Sequence, residues 1–335
     1  MFRLEEEKII REVAKRSPKR VLLQVPEGLR PKAFQLSRLL EKKTSSQVII
    51  SADPCYGSCD LALTDATILD ADLIVHLGHS DTPNTRNERL LFIEARSSLD
   101  VAAVVRKALR QFTEERVIGL ASVIQHIDRL GEAKRILEEA GKIVLVGKAE
   151  GELRYDGQVL GCEFGAVTSI SPKAEAFLVL SGGDFHGLGV RVATGKKTIV
   201  ADPFQDQARD MEEMAKRFYR KRYAAIDSFR EARKVGILIG LKTGQFKPRS
   251  AAKMRDLLEN GRRECVLLAL REIDPTVLSN FQDIEGFVNT GCPRVAWDDQ
   301  DKFRTPVLNP EEAMIAAGVK RWEDYAQKDS PSKRA

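Results

Sequence analysis

The sequence predicts an α/β protein made of three domains, each built on a parallel sheet. Short apolar, β-branched runs alternate with longer segments of helical period, which is typical of parallel α/β units. This rhythm recurs three times along the 335 residues, starting at strands near Arg20, Val117 and Val235. Hydrophobic residues make up 43% and charged residues 31% of the chain, as expected for a soluble globular protein.

The individual elements follow from the same two periods. The predicted strands are 20–25, 47–51, 73–77, 117–121, 143–146, 176–180, 235–239, 266–270 and 286–289, and the predicted helices are 31–43, 129–140 and 251–259. We therefore place the domains at residues 1–112, 113–231 and 232–326, followed by a polar, disordered tail at 327–335. The basic stretch 216–234 predicts a helix linking the second and third domains, whose charges either face solvent or dock to an acidic partner.

Composition indicates the compartment. The chain has no apolar stretch long enough to span a bilayer and begins with a charged segment, so we expect a cytoplasmic protein without membrane association. Thiols stay reduced there, so the five cysteines are better explained as ligands, nucleophiles or core residues than as disulfides. The net charge of +5 is mild, and we expect no direct nucleic-acid binding.

One cysteine in each third lies in a glycine- or proline-flanked turn: Cys59 (near Cys55), Cys162 and Cys292. Ligands of open parallel sheets bind at the carboxyl ends of strands, where such loops converge. Three thiolates meeting there would favour a 4Fe–4S cluster with one iron open to substrate. Spacing alone leaves open that these are unrelated loop cysteines. Cys265, inside an apolar strand, is expected to be a buried structural thiol.

The residues around these cysteines resemble a known family. Pro-Cys-Tyr-Gly-Ser-Cys-Asp-Leu-Ala at 54–62, Gly-Leu-Lys-Thr-Gly-Gln at 240–245 and Gly-Cys-Pro-Arg at 291–294 occur together in this chain. Their combination is similar to the archaeal enzyme of the first step of diphthamide synthesis, and the resemblance extends over nearly the whole sequence. It implies three Rossmann-like domains packed in a pseudo-threefold triangle around a central 4Fe–4S cluster, and a homodimer.

The resemblance also implies a reaction and its ligands. The family transfers the 3-amino-3-carboxypropyl group of S-adenosylmethionine to C2 of one histidine in translation elongation factor 2, with an electron from a donor protein. The family's cluster ligands match Cys59, Cys162 and Cys292, whereas Cys55 matches no ligand position. The compact Cys-x3-Cys-x2-Cys arrangement of the usual radical enzymes is absent from the sequence, in line with cleavage at the methionine γ-carbon.

Such an enzyme must hold the methionine carboxylate and amine of its substrate. Arg294 offers a planar guanidinium that suits a carboxylate, although a surface ion pair would also explain it. Gln245 and Lys242 lie in the loop after the first strand of the third domain, and a solvated lysine is the alternative for Lys242. Gly240 and Gly244 would let the backbone of that loop approach the ligand.

Two features are less specific. His79 follows a strand end, where it is expected either to bind cofactor near the cluster or to be a hydrogen-bonded loop histidine. The glycine-rich stretch 182–187 predicts a tight turn and lacks the lysine of a Walker sequence.

Two other functions remain open from the sequence. A quinolinate synthase-like 4Fe–4S dehydratase would share the three-domain triangle and the three-cysteine cluster, although its motifs find no support here. A metal-stabilised scaffold that binds a translation factor would need no chemistry at all. Metal identity and turnover of S-adenosylmethionine separate these possibilities.

Overall fold

The computed structural model describes residues 2–85 and 87–326, so the predicted tail at 327–335 lies outside the described residues. The chain divides into two compact units. The first contains the residues up to Gly187 together with Ile199–Arg209, and the second contains Leu188–Thr198 and the chain from Asp210 onward. Among the described residues, no helix combines the length and the apolar character that crossing a membrane requires.

The first sheet lies in the first unit. The elements of this part are β1 (Phe2–Arg3), α1 (Glu6–Arg16), β2 (Arg20–Gln24), α2 (Arg30–Lys43), β3 (Gln47–Ser51), α3 (Leu63–Ile68), β4 (Leu73–Leu77), β5 (Leu90–Ile93), β6 (Arg96–Ser97) and α4 (Ala102–Leu109). Strands β3, β2, β4 and β5 pair in that order, all parallel, while β1 pairs antiparallel with β6. Leu23 and Val75 of the sheet and Leu36 of α2 share one buried core.

The second sheet has five strands. Its elements are β7 (Val117–Ser122), α5 (Leu130–Glu139), β8 (Ile143–Leu145), α6 (Gly165–Thr168), β9 (Ala176–Leu180), α7 (Phe185–Thr194), β10 (Lys197–Asp202) and β11 (Gln207–Asp210). The strand order is β11-β10-β9-β7-β8, so β10 and β11, absent from the predicted elements, extend the sheet beyond β9. The predicted glycine turn is confirmed up to Phe185, where α7 begins. Gly183 has a φ of +70°, and its N–H donates to Asp202 at 2.9 Å.

The third sheet lies in the second unit. Its elements are α8 (Glu212–Arg230), β12 (Lys234–Gly240), α9 (Pro248–Asn260), β13 (Glu264–Leu270), α10 (Pro275–Leu278), β14 (Gly286–Asn289), α11 (Pro293–Asp298), β15 (Val307–Leu308), α12 (Pro310–Ala316) and α13 (Trp322–Ala326). The strands are parallel in the order β13-β12-β14-β15. The predicted basic helix is present as α8, shifted toward the N-terminus. It buries one face, including Ala225, Ile226 and Phe229. Short 3-10 helices occur at Glu27–Leu29, Pro83–Thr85, Ile124–Arg129, Thr243–Gln245 and Gln300–Lys302.

The second and third sheets share a packing detail. In each, a glycine of the first strand pairs in register with a phenylalanine of the neighbouring strand: Gly119 with Phe177, and Gly236 with Phe287. A Cβ added to these glycines would lie 2.3 Å and 2.6 Å from the respective ring. Each ring therefore fills the space that a side chain in place of the glycine would need. The two sheets thus repeat the same local packing, although their sequences differ.

The division of the chain into three domains remains a prediction.

Candidate functional site

Cys59 lies in the loop that leaves the carboxyl end of β3. Gln24, the last residue of β2, fixes this loop: its side-chain amide donates to the carbonyl of Asp60 at 2.7 Å and its Oε1 accepts from the N–H of Ala62 at 3.2 Å. The carboxylate of Asp60 accepts from the N–H of Tyr56 at 3.4 Å, which closes the turn. The partly exposed Cys59 is thus held at the sheet edge where ligands of parallel sheets bind.

Cys162 lies in the loop between β8 and α6. Earlier in this loop, the chain runs beside Ser122, the last residue of β7. The N–H of Ser122 donates to Gly157 at 2.8 Å, and the N–H of Val159 donates to Ser122 at 2.9 Å. The loop therefore passes the carboxyl end of β7 just before it reaches Cys162, whose side chain is exposed.

Within the first unit, the loop that follows β4 contacts the loop that carries Cys162. The amide of Gln158 donates to Ser80 Oγ at 3.5 Å, and Arg154 forms an ion pair with Asp81. These contacts bring together segments from the carboxyl ends of the first and second sheets, as predicted for loops that converge on a ligand.

His79 lies in that same loop and pairs with His76. His76 Nε2 is 3.0 Å from His79 Nδ1, and His76 Nδ1 is 2.8 Å from Gln24 Oε1. Burial lowers the pKa of His79 to about 4 and holds the pKa of His76 well below its usual value, so both rings are neutral at neutral pH. His79 is therefore a hydrogen-bonded loop histidine. Its role in cofactor binding stays a prediction.

Cys292 lies between β14 and α11. Asn289 ends β14 and fixes the turn: its Nδ2 donates to the carbonyl of Cys292 at 2.7 Å, and its Oδ1 accepts from the N–H of Gly291 at 3.0 Å. Burial raises the pKa of the Cys292 thiol, and the backbone N–H of Arg294 offsets part of that rise. A bound metal would displace the thiol proton.

The predicted substrate loop packs on this turn. A Cβ on Gly240 would lie 3.2 Å from Cβ of Gln245 and 3.4 Å from Cα of Gly291, so the two glycines allow the backbones to approach. Gln245 is 8% exposed and ends the short helix Thr243–Gln245, which has Gly244 at its centre. The structure thus brings Gly240 and Gln245 to the turn of the third cysteine.

Lys242 begins the same loop. It is 6% exposed and forms an ion pair with Glu272 in the loop after β13. The alternative of a solvated lysine is therefore wrong, because the ammonium group is enclosed beside a carboxylate. Whether Lys242 contacts a cofactor stays a prediction.

Arg294 lies in the first turn of α11 and is largely buried. Its Nε and Nη2 donate to the two carboxylate oxygens of Asp298 at 2.7 and 2.9 Å. Burial raises the pKa of Asp298, and the Arg294 guanidinium lowers it in part. The ion pair thus joins a largely buried guanidinium to a carboxylate whose side chain is 37% exposed, so only its arginine side is enclosed. A substrate carboxylate would have to share or replace Asp298.

The thiols fit iron–sulfur ligation by their chemistry. None of the five cysteines, all of which lie in the described residues, forms a disulfide. Each of the three proposed ligands lies in a loop beyond the carboxyl end of a parallel sheet. Separate loops of this kind can supply thiolates to a cluster. Cys265 differs, because it lies within β13, where burial raises its pKa to about 11. It is only partly buried rather than fully buried as predicted, because β13 is the edge strand of its sheet.

Known proteins resemble this chain over nearly its whole length. The family model described as "Putative diphthamide synthesis protein" matches residues 25–326. The chain is 32% identical over 326 residues to the 2-(3-amino-3-carboxypropyl)histidine synthase of Pyrococcus horikoshii, covering 97% of this chain and 93% of that protein. It is 29% identical over 338 residues to subunit 1 of the synthase of that name from Dictyostelium discoideum, and the match covers 97% of this chain and 70% of that protein. A crystal structure of Dph2 from P. horikoshii with 4Fe-4S cluster matches at a TM-score of 0.88 and 32% identity. The match covers 96% of this chain and 93% of the chain in that structure.

Proposed function

Because this chain belongs to the diphthamide synthesis protein family, we propose that it transfers the 3-amino-3-carboxypropyl group of S-adenosylmethionine to C2 of a histidine in translation elongation factor 2. The observation that carries the proposal is the similarity to the P. horikoshii synthase, which is 32% identical over 97% of this chain. The dehydratase and scaffold alternatives find no such match among these relatives.

Cys59, Cys162 and Cys292 would hold the 4Fe–4S cluster of this reaction. When bound, the cluster supplies the single electron that cleaves the bond between the sulfonium sulfur and the methionine γ-carbon. Arg294 would bind the methionine carboxylate, and Gln245 would bind the same end of the substrate by hydrogen bonds. Gly240 and Gly244 would let the backbone approach it.

The remaining polar residues would tune the charge around the substrate. Lys242, enclosed beside Glu272, would add a balanced charge pair rather than a net positive charge. His79 would bind the cofactor from the loop after β4 through the hydrogen-bonding atoms of its ring.

The assembly follows from the same proposal. Three Rossmann-like domains would pack as a pseudo-threefold triangle around the cluster, and two chains would form a homodimer in the cytoplasm. A donor protein would bring the enzyme to the reduced state in which the reaction starts. The transfer as a whole would be redox-neutral, because the histidine C2 loses its proton and returns the electron when the alkylated ring regains its aromaticity.

Modification of elongation factor 2 tests the proposal. The reduced holoenzyme is incubated anaerobically with S-adenosylmethionine and elongation factor 2, and the factor is digested and analysed by mass spectrometry. One histidine should gain an aminocarboxypropyl group, and Cys162→Ala should abolish the gain. An unmodified factor in the presence of a verified, reduced cluster would refute the proposal.

A further inference from the structure

A cysteine and two histidines meet in the first unit, and none of the three is a proposed ligand of the cluster. One ligand atom each from Cys55, His76 and His79 lies within 4.8 Å of the other two. Cys55 is 4% exposed and His76 is fully enclosed. We propose that these three side chains form a second metal site, for a divalent cation that favours thiolate and imidazole ligands, such as Zn²⁺.

The spacing of the ligand atoms suits a tetrahedral ion. With Zn–N bonds of about 2.0–2.1 Å, two histidine nitrogens of a tetrahedral site lie roughly 3.3 Å apart. His76 Nε2 and His79 Nδ1 are 3.0 Å apart, so a small increase in the distance between these two nitrogens would admit the ion. The thiol of Cys55 supplies the third ligand from the loop after β3, which leaves the fourth position open.

The tautomer of His76 is fixed in the form that a metal requires. Gln24 cannot rotate its amide without losing its donor bond to Asp60 and its acceptor bond from Ala62. Its Oε1 therefore faces His76 Nδ1 at 2.8 Å, and that nitrogen must carry the proton. The lone pair of Nε2 is then directed toward His79. Metal-bound histidines usually donate their other N–H to such an oxygen acceptor, so Gln24 occupies the supporting position of a metal site.

The chemistry of the ligands selects the ion. A thiolate and two neutral imidazoles suit zinc and similar transition metals, whereas Ca²⁺ and Mg²⁺ need oxygen ligands. The ring of Phe92 packs against His76 at a centroid distance of 5.0 Å and forms an apolar wall. The bound ion would join the loop of Cys55, which also carries Cys59, to the end of β4, and would thereby hold the first cluster loop in place.

Cobalt binding provides the test, since Co²⁺ replaces zinc at such sites and gives a thiolate-to-cobalt charge-transfer band. The background is the full chain carrying Cys59→Ser, Cys162→Ser and Cys292→Ser, freed of iron and titrated with Co²⁺ without oxygen. We expect one cobalt per chain with tetrahedral absorption. Adding Cys55→Ser should abolish the charge-transfer band, and adding Gln24→Ala should weaken cobalt binding about 10–100-fold. Adding Cys265→Ser, the matched control, should change neither.

Two results would overturn the site: a folded background variant that binds no cobalt, or a charge-transfer band that survives Cys55→Ser. Folding is verified by circular dichroism. If the background variant does not fold, the wild-type apoprotein is compared with its Cys55→Ser variant, which should bind one equivalent of Co²⁺ fewer, and equal stoichiometry refutes the proposal. None of these measurements depends on transferase activity.

Discussion

Arg294 and Asp298 form a two-pronged ion pair across one turn of α11, with donor–acceptor distances of 2.7 and 2.9 Å. The guanidinium carbon also lies 5.5 Å from the ring centroid of Trp297. The arginine fork is therefore already oriented for a carboxylate before any substrate arrives. Exchange of the Asp298 carboxylate for that of methionine would conserve both hydrogen bonds.

Replacing Arg294 with alanine should weaken binding of S-adenosylmethionine without changing the absorption of the cluster. Loss of a hydrogen-bonded charge pair in a buried site costs about 2–5 kcal/mol. Anaerobic calorimetry measures the affinity. The matched variant Asp298→Asn, which keeps the guanidinium and removes its competitor, should bind at least as tightly as the wild type. Equal affinity of Arg294→Ala and the wild type would exclude the proposed role.

Removing any one of the three proposed iron ligands should prevent assembly of an intact cluster. Cys59→Ala, Cys162→Ala and Cys292→Ala should each lose the cluster absorption and most of the bound iron after anaerobic reconstitution. Cys55→Ala and Cys265→Ala should largely retain both, because neither is a proposed ligand of the cluster. Full iron loading of Cys162→Ala, or complete loss in Cys265→Ala, would show that the ligands are assigned wrongly.

The close approach of Gly240 to the turn of the third cysteine should be sensitive to a single methyl group. In Gly240→Ala the new Cβ would lie 3.2 Å from Cβ and 3.3 Å from the carbonyl oxygen of Gln245, so the loop must shift. We expect weaker binding of S-adenosylmethionine with an unchanged iron content. Gly131→Ala is the control, since its Cβ would meet nothing within 4 Å and alanine favours its helix. Equal affinities of the two variants would contradict the proposed packing.

Arg222 anchors α11 through a fully buried network. It binds both carboxylate oxygens of Glu312 at 2.7 Å and donates to the carbonyl of Ala296 in α11 at 2.6 Å. Arg222→Met would leave the Glu312 charge buried without this partner, which should lower the free energy of unfolding by about 3–5 kcal/mol. Denaturant unfolding measures the change, and the exposed Arg220→Met on the same helix should shift stability by less than about 0.5 kcal/mol. A similar small shift for Arg222→Met would contradict the account.

The sheets were predictable where local pattern and burial coincide. Every residue of Leu73–Leu77 is buried, and the strand was predicted with its correct bounds from its apolar run. Lys197–Asp202 was missed, because its apolar core is short and flanked by charges. It is recognisable as a strand only beside β9, where Ser181 donates to Ala201 at 3.2 Å.

The site was predictable only at the level of its loops. Cysteines after strand ends indicated where ligands would converge, since that follows from the topology of parallel sheets. Hydrogen-bonded pairs of side chains that are distant in sequence could not be predicted from local sequence pattern. Gln24 and His76 are 52 positions apart, and Arg222 and Glu312 are 90 positions apart. The signal for His76 was its place in His-Leu-Gly-His at a strand end, which did not reveal Cys55 as a neighbour.

The nucleoside released from S-adenosylmethionine tests the central claim most directly. The holoenzyme, with its iron content and reducibility verified, is incubated anaerobically with a strong one-electron reductant and S-adenosylmethionine, and the quenched mixture is separated by chromatography. Cleavage at the methionine γ-carbon predicts methylthioadenosine as the product, absent in Cys162→Ala. Deoxyadenosine as the main product would contradict the proposed cleavage, and the absence of both nucleosides would contradict the transferase itself.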